Sequence, residues 1–238
     1  MSSVNPTSAT AIAPPTLSRR RWGIIFILLL AAVVNYLDRA NLSIANTTIS
    51  QEFGFSATQM GLLLSAFLWP YALANLPAGW LVDRFGPKKM FTGALGMWSA
   101  VTFLMGFVNT YSFFYGLRML LGIAESPFFT SGIKITQSWF SEKERGLPTS
   151  IINTGSQIAN AIAPPLLTIL LLWVGWRGMF IAVGLLGLPL ILAWLKFYRD
   201  PDAREAMQIH TGQVTTAASD EPKGNWGTLF RNKTTWCM

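Results

Sequence analysis

Asn35-Tyr36-Leu37-Asp38-Arg39-Ala40-Asn41 sets a carboxylate and a guanidinium inside a run, Ile24 to Ala45, that is otherwise almost entirely Ile, Leu, Phe, Val and Ala. Such a run has the composition of a segment solvated by lipid. A charge near the centre of a spanning helix costs roughly 2.5 to 3.5 kcal/mol even on lenient scales, and is retained mainly where it faces a cavity or a partner. Two adjacent charges therefore call for buried partners. The stretch points to an all-α membrane protein whose interior is not uniformly apolar.

Composition agrees. Of the 238 residues, 51% are hydrophobic and 12% charged, which is not the balance of a soluble domain. The net charge of +7 does not point to nucleic acid, because Lys and Arg fall between apolar blocks, where they read as topological anchors. A single cysteine, Cys237, excludes an internal disulfide framework, and the single histidine, His210, lies outside the apolar blocks. No histidine-based metal site or catalytic triad is available within the spans, and no Gly-x-Ser-x-Gly elbow occurs there, so neither catalytic residues, metal nor organic cofactor is expected.

Six apolar blocks of spanning length follow one another: 24–46, 57–82, 90–108, 112–138, 147–171 and 178–197. Basic residues cluster in alternate connections: Arg19 to Arg21, then Arg84, Lys88 and Lys89, then Lys143 and Arg145, then Lys196, Arg199 and Arg204. The other connections offer only Arg177, so the positive-inside rule puts both termini in the cytoplasm. The expected plan is a disordered cytoplasmic N-terminus at 1–21, a six-helix transmembrane bundle at 22–200 and a polar cytoplasmic linker at 201–228. Residues 229–238 read as the start of a seventh helix, and the chain as an incomplete half of something larger. Asn46-Thr47-Thr48 matches a glycosylation sequon by chance.

Block four supplies partners for block one. Arg118 and Glu125 are seven residues apart on one helix face, about 10 Å along the axis. At about 1.5 Å per residue, Arg118 lies roughly 9 Å below the outer end of its helix and Asp38 about 21 Å up its own. In a core of about 30 Å those heights coincide, so Asp38, Arg39 and Arg118 are expected to meet in the outer half of one cavity, with Glu125 below them. Block five adds a polar stripe of Asn153, Ser156, Gln157 and Asn160, and block two adds Tyr71 and Asn75. The four charges balance, so one reading is a set of ion pairs that only holds helices together. The other is a wet polar pocket.

The connection from block two to block three reads Gly79-Trp80-Leu81-Val82-Asp83-Arg84-Phe85-Gly86-Pro87-Lys88-Lys89. Gly79 is expected to let helices approach, Asp83 to cap a helix start or pair with a basic residue, and Gly86 to turn the chain. This element resembles the signature of the major facilitator superfamily, Gly-x-x-x-Asp-Arg-x-Gly-x-Lys-Lys, with Pro87 where many members have Arg. The segments around Tyr36-x-Asp38-Arg39, Leu117-Arg118, Gly122-x-x-Glu125-x-Pro127 and Trp139-Phe140-x-x-x-Glu144-Arg145 resemble its anion:cation symporter branch. That branch includes carriers of galactonate, glucarate, hexuronates and phthalate, the vesicular glutamate carriers and sialin.

The resemblance covers about 20 to 200. It implies two inverted three-helix repeats forming the N-terminal half of a twelve-helix carrier, which rocks against a second bundle around a midplane site. By the same resemblance Arg39 and Arg118 hold a substrate carboxylate, Tyr36 and Tyr71 line the pocket, and Asp38 and Glu125 carry protons, while the polar stripe of block five adds Asn153, Ser156 and Gln157 as substrate-binding candidates. Gly79, Asp83, Arg84, Gly86, Lys88, Lys89 and Arg145 form a gating element. Where the branch commonly has a pocket Gln, this chain has Ser156, and Gln157 follows about 100° further round the helix. The expected activity is proton-coupled symport of a small organic anion in a bacterial inner membrane. The partners are that anion, the bilayer and a C-terminal six-helix half. Sodium-coupled or exchange-mode carriage and a non-transporting membrane scaffold stand as alternatives.

Overall fold

A computed structural model describes residues 15–210, and among these every regular element is helical. Residues 1–14 and 211–238 lie outside the described residues, and with them part of the expected disordered N-terminus, most of the expected linker, Cys237 and the start of a seventh helix. Helix is what the sequence demands: in lipid no water satisfies the backbone, so each span must close its own hydrogen bonds.

The first helix, α1, runs Pro15–Phe53 and so begins within the 1–21 stretch expected to be disordered. It is followed by α2 (Ala57–Ser65) and α3 (Leu68–Phe85). A capping box starts α2: the Gln59 amide donates to Ser56 Oγ at 3.2 Å and the Ser56 amide to Gln59 Oε1 at 2.9 Å. Gly86, at φ 84°, turns the chain into α4 (Pro87–Met105), as its place in the motif suggested. Then come α5 (Tyr111–Glu125) and α6 (Pro127–Trp139), split where Pro127 opens a new helix. A single 3₁₀ turn, Glu142–Glu144, leads into α7 (Gly146–Phe197), and α8 (Ala203–His210) occupies part of the expected linker.

Among the described residues, three helical stretches are by themselves long and apolar enough to cross a membrane: Arg19–Phe53, Ala57–Phe85 and Glu142–Phe197. The third carries two of the expected spans, because Gly175, at φ 70° and ψ 174°, reverses the chain within it. Those angles are essentially closed to residues with a Cβ, which makes this glycine the hinge of the hairpin. Blocks three and four fall short on hydropathy or length for identifiable reasons. Pro87, Lys88 and Lys89 open α4, while Pro127 divides block four into pieces of 15 and 13 residues.

α1 packs along α7, α4 against α7, α5 and α6, and α3 against α5. A cluster of large rings fills the middle: Phe91 and Trp194 lie 4.4 Å apart between centroids, and Trp98 meets Phe128 edge-on at 5.6 Å. At the end of the bundle holding the α4–α5 connection, Arg177 ties three segments together. It donates to the carbonyls of Val108 (2.7 Å) and Gly106 (3.4 Å), to Asn109 Oδ1 (3.1 Å) and to Glu52 Oε1 (3.2 Å). Its guanidinium lies 4.3 Å from the Trp176 ring centre, and the Trp176 indole donates to the other Glu52 oxygen.

Candidate functional site

Helical periodicity divides the central stretch of α1 into two faces. Asn35, Asp38 and Asn41, three residues apart, are buried to 1% exposure or less, while Tyr36 and Arg39, about 100° further round, are half-buried at the edge. On α5 the seven-residue spacing works as expected, for Arg118 and Glu125 are 3% and 0% exposed. The helices bring the four charges together, and each acts electrostatically on the others: Asp38 and Glu125 repel one another, and both attract Arg39 and Arg118.

The helix heights left the pairing of the charges open. Arg39 Nε donates to Glu125 Oε2 at 2.7 Å, so Glu125 is joined to the guanidinium of α1. A rise per residue locates backbones, and an arginine reaches well over one helical turn beyond its own. Arg118 and Asp38 are left open: Arg118 Nε and Nη1 and both Asp38 oxygens find no hydrogen-bond partner among the described residues. Neither do Arg39 Nη2 or Glu125 Oε1. Buried polar atoms without partners are costly, and here both charge types have them at one place.

Aromatic rings surround Arg39. Its guanidinium carbon lies 4.7 Å from the centre of Tyr71, 4.8 Å from Phe67 and 5.0 Å from Tyr36. Two of these were expected from sequence, and Phe67 was not. It sits in an apolar block, where one more ring sends no signal. Asn35, which interacts with Glu125, and Thr102 on α4, which interacts with Asp38, were also missed as site residues. For Thr102 a signal existed: Ser99 and Thr102 are three apart on one face of a spanning helix, and both are buried.

Other expected residues sit elsewhere. Asn153, Gln157 and Asn160 lie exposed on α7, and Ser156 is buried and donates to the Asn153 carbonyl at 2.6 Å. No hydrogen bond joins any of them to the charge cluster. Asn75 donates within its own helix, to the Tyr71 carbonyl at 2.8 Å. A cleft of about 450 Å³ lies away from the charges, between α3 and α5, with an apolar lining that includes Trp69, Leu73 and Met119.

In the α3–α4 motif, Asp83 pairs with a basic residue as expected, namely Lys134 of α6 at 2.8 Å. Arg84 lies over the rings of Trp80 (5.1 Å) and Phe85 (5.6 Å). Gly79 does not mediate a helix contact among the described residues, for a Cβ there would meet nothing within 4 Å. Its side of α3 is open, and α3 packs through Ala78 and Val82 instead. Arg145 donates to the carbonyls of Phe140 (3.2 Å) and Gln137 (3.3 Å), closing the end of α6. Lys88 and Lys89 make no ion pair among the described residues.

With two guanidiniums, two carboxylates and three rings, the site can bind an anion and hold a proton. Guanidinium keeps its charge and forks onto carboxylates, whereas a buried carboxyl can exist with or without its proton. Among the described residues no group of three or more His, Cys, Asp or Glu is placed to hold a metal ion.

Comparison with known proteins gives concordant results. A model of the Major Facilitator Superfamily matches residues 28–238. The chain is 38% identical, over its whole length and 55% of the relative's, to a probable L-galactonate transporter of Escherichia coli K12. It is 40% identical to the probable galactarate/D-glucarate transporter GarP of the same organism, over 76% of this chain and 42% of that one. It thus spans about half the length of the curated relatives it matches. In fold it is similar to a bacterial homologue of the human lysosomal transporter Spinster, crystallised inward-facing and unoccupied. The TM-score is 0.74 and the identity 20%, over 89% of this chain and 48% of that one.

Proposed function

The chain belongs to the Major Facilitator Superfamily, and on that premise we propose that it is the N-terminal half of a proton-coupled symporter for a small organic anion. The names of several relatives support a sugar-acid carboxylate of the galactonate, galactarate or glucarate type as that anion. The observation that carries this reading is the Arg39–Glu125 ion pair, at 2.7 Å, beside a second guanidinium with unpartnered donors.

Geometry suggests how the pair couples the two solutes. While Glu125 is ionised it occupies Arg39 Nε and competes with any substrate carboxylate. A proton on Glu125 removes the negative charge, and Arg39 is freed to fork onto the substrate with Arg118 as the second prong. Tyr36 and Tyr71 wall the pocket, and Asp38 is a second proton carrier next to Arg118. Asn153, Ser156 and Gln157 contribute from α7, where Asn153 and Gln157 are exposed. Anion and proton then cross together, since the neutralised site is the one that favours both.

The Asp83–Lys134 pair, with Gly79, Arg84, Gly86, Lys88, Lys89 and Arg145, forms the gating element at the cytoplasmic end. Both termini lie in the cytoplasm, in a bacterial inner membrane. The test is uptake of D-galactonate by the full-length carrier in proteoliposomes. A pH gradient should drive accumulation by the wild type, and Glu125→Gln should lose it while retaining galactonate exchange. Uptake that follows sodium, or a Glu125→Gln carrier that still accumulates substrate uphill, overturns the reading.

A further inference from the structure

Between α2 and α3 the second span keeps helical backbone angles at Ala66 and Phe67, but Pro70 has no amide hydrogen to offer the carbonyl of Ala66. There α5 comes in against the backbone. A Cβ on Gly122 would collide with the Phe67 carbonyl and come within 3.0 Å of the Tyr71 amide nitrogen, so only glycine allows the approach. The Phe67 side chain is 3% exposed and stacks on Tyr71, one turn later, at 5.3 Å between centroids and 20° between planes.

This seat puts one ring beside both guanidiniums. Arg39 lies 4.8 Å from the Phe67 centroid and Arg118 5.5 Å. No other ring among the described residues is shared by the two. The two guanidiniums repel one another, and an aromatic ring beside both, whose π-system attracts cations, offsets that repulsion as an aliphatic neighbour would not.

We propose that Phe67 is a positioning residue, seated by the Gly122 contact and its stack on Tyr71, that fixes the spacing of Arg39 and Arg118 so that the pair engages a carboxylate anion. This rests on the reading of both guanidiniums as anion donors. Phe67 is the one ring among the described residues that both guanidiniums share, and loss of that ring loosens the clamp.

The experiment uses the full-length carrier in two parts. In proteoliposomes, Phe67→Leu and the second ring-free variant Phe67→Met should raise the KM for D-galactonate at least about tenfold, with turnover changed less than about threefold. Phe67→Tyr, which keeps the ring, should restore a KM within about threefold of wild type. Independently of any substrate, labelling of Arg39 by phenylglyoxal, read by peptide mass spectrometry, should be at least about fivefold faster in the ring-free variants and unchanged in Phe67→Tyr. A wild type inactive towards galactonate would refute the proposed substrate, and the labelling rates would still decide the role of Phe67. Equal labelling across all variants, equal impairment of Leu and Tyr variants, or a loss of turnover at constant KM overturns the proposal.

Discussion

Arg177 and Arg118 are both arginines in the same bundle, and their surroundings are opposite. Arg177 is 36% exposed in its side chain, yet it donates to two carbonyls, an amide oxygen and a carboxylate, and stacks on Trp176. Arg118 is 3% exposed, and two of its nitrogens have no partner among the described residues. If helix packing were the only purpose of intramembrane charge, the more deeply buried guanidinium would be the better satisfied, since desolvation is costliest there. The reverse holds. The region at Arg177 is a clasp joining the ends of α1, α4 and α7, whereas at Arg118 buried donors have no hydrogen-bond partner among the described residues.

The comparison breaks or holds on paired substitutions in the full-length carrier. The largest effect is expected for Arg118→Ala, which should cut D-galactonate uptake at least about 100-fold. Its melting temperature should fall less than that of Arg177→Met, since few interactions in the bundle depend on it. A greater loss of stability than in Arg177→Met would make Arg118 a structural residue after all. Next comes Gly175→Ala, which forces a Cβ into the reversed backbone of the hairpin and should cost about 2 kcal/mol in unfolding experiments, with KM unchanged. Arg177→Met should cost about 1 to 2 kcal/mol, discounted for its exposure, again without altering KM. The smallest is Asp83→Asn: its pair with Lys134 is exposed on both sides, so the stability change should stay below about 0.5 kcal/mol. Transport rate is the readout that would reveal a gating role there.

Much of this was legible in the chain itself. Apolar block length and the seven-residue spacing of Arg118 and Glu125 gave the helices and their inward face, because burial of a helical stripe is set by periodicity. Asp83 announced a basic partner without naming Lys134, which is 51 residues away in sequence and becomes a neighbour only through the packing of α3 on α6. Gly79 suggested a helix contact, and the structure assigns close approach to Gly122 instead. Which glycine meets a neighbour depends on rotation about the helix axis, a quantity that spacing leaves free. The polar stripe on α7 was correct as a stripe, but its residues face outward apart from Ser156.

Amino-acid order alone determined that this chain is a helical membrane protein with acidic and basic groups inside its first and fourth blocks, since cost in lipid and periodicity are local properties. Only the tertiary structure decided that Arg39 closes on Glu125, that Phe67 stands beside both guanidiniums, and that Arg118 is left with open donors. Those outcomes depend on side-chain reach and helix rotation, and they are fixed only when α1, α3 and α5 pack against one another.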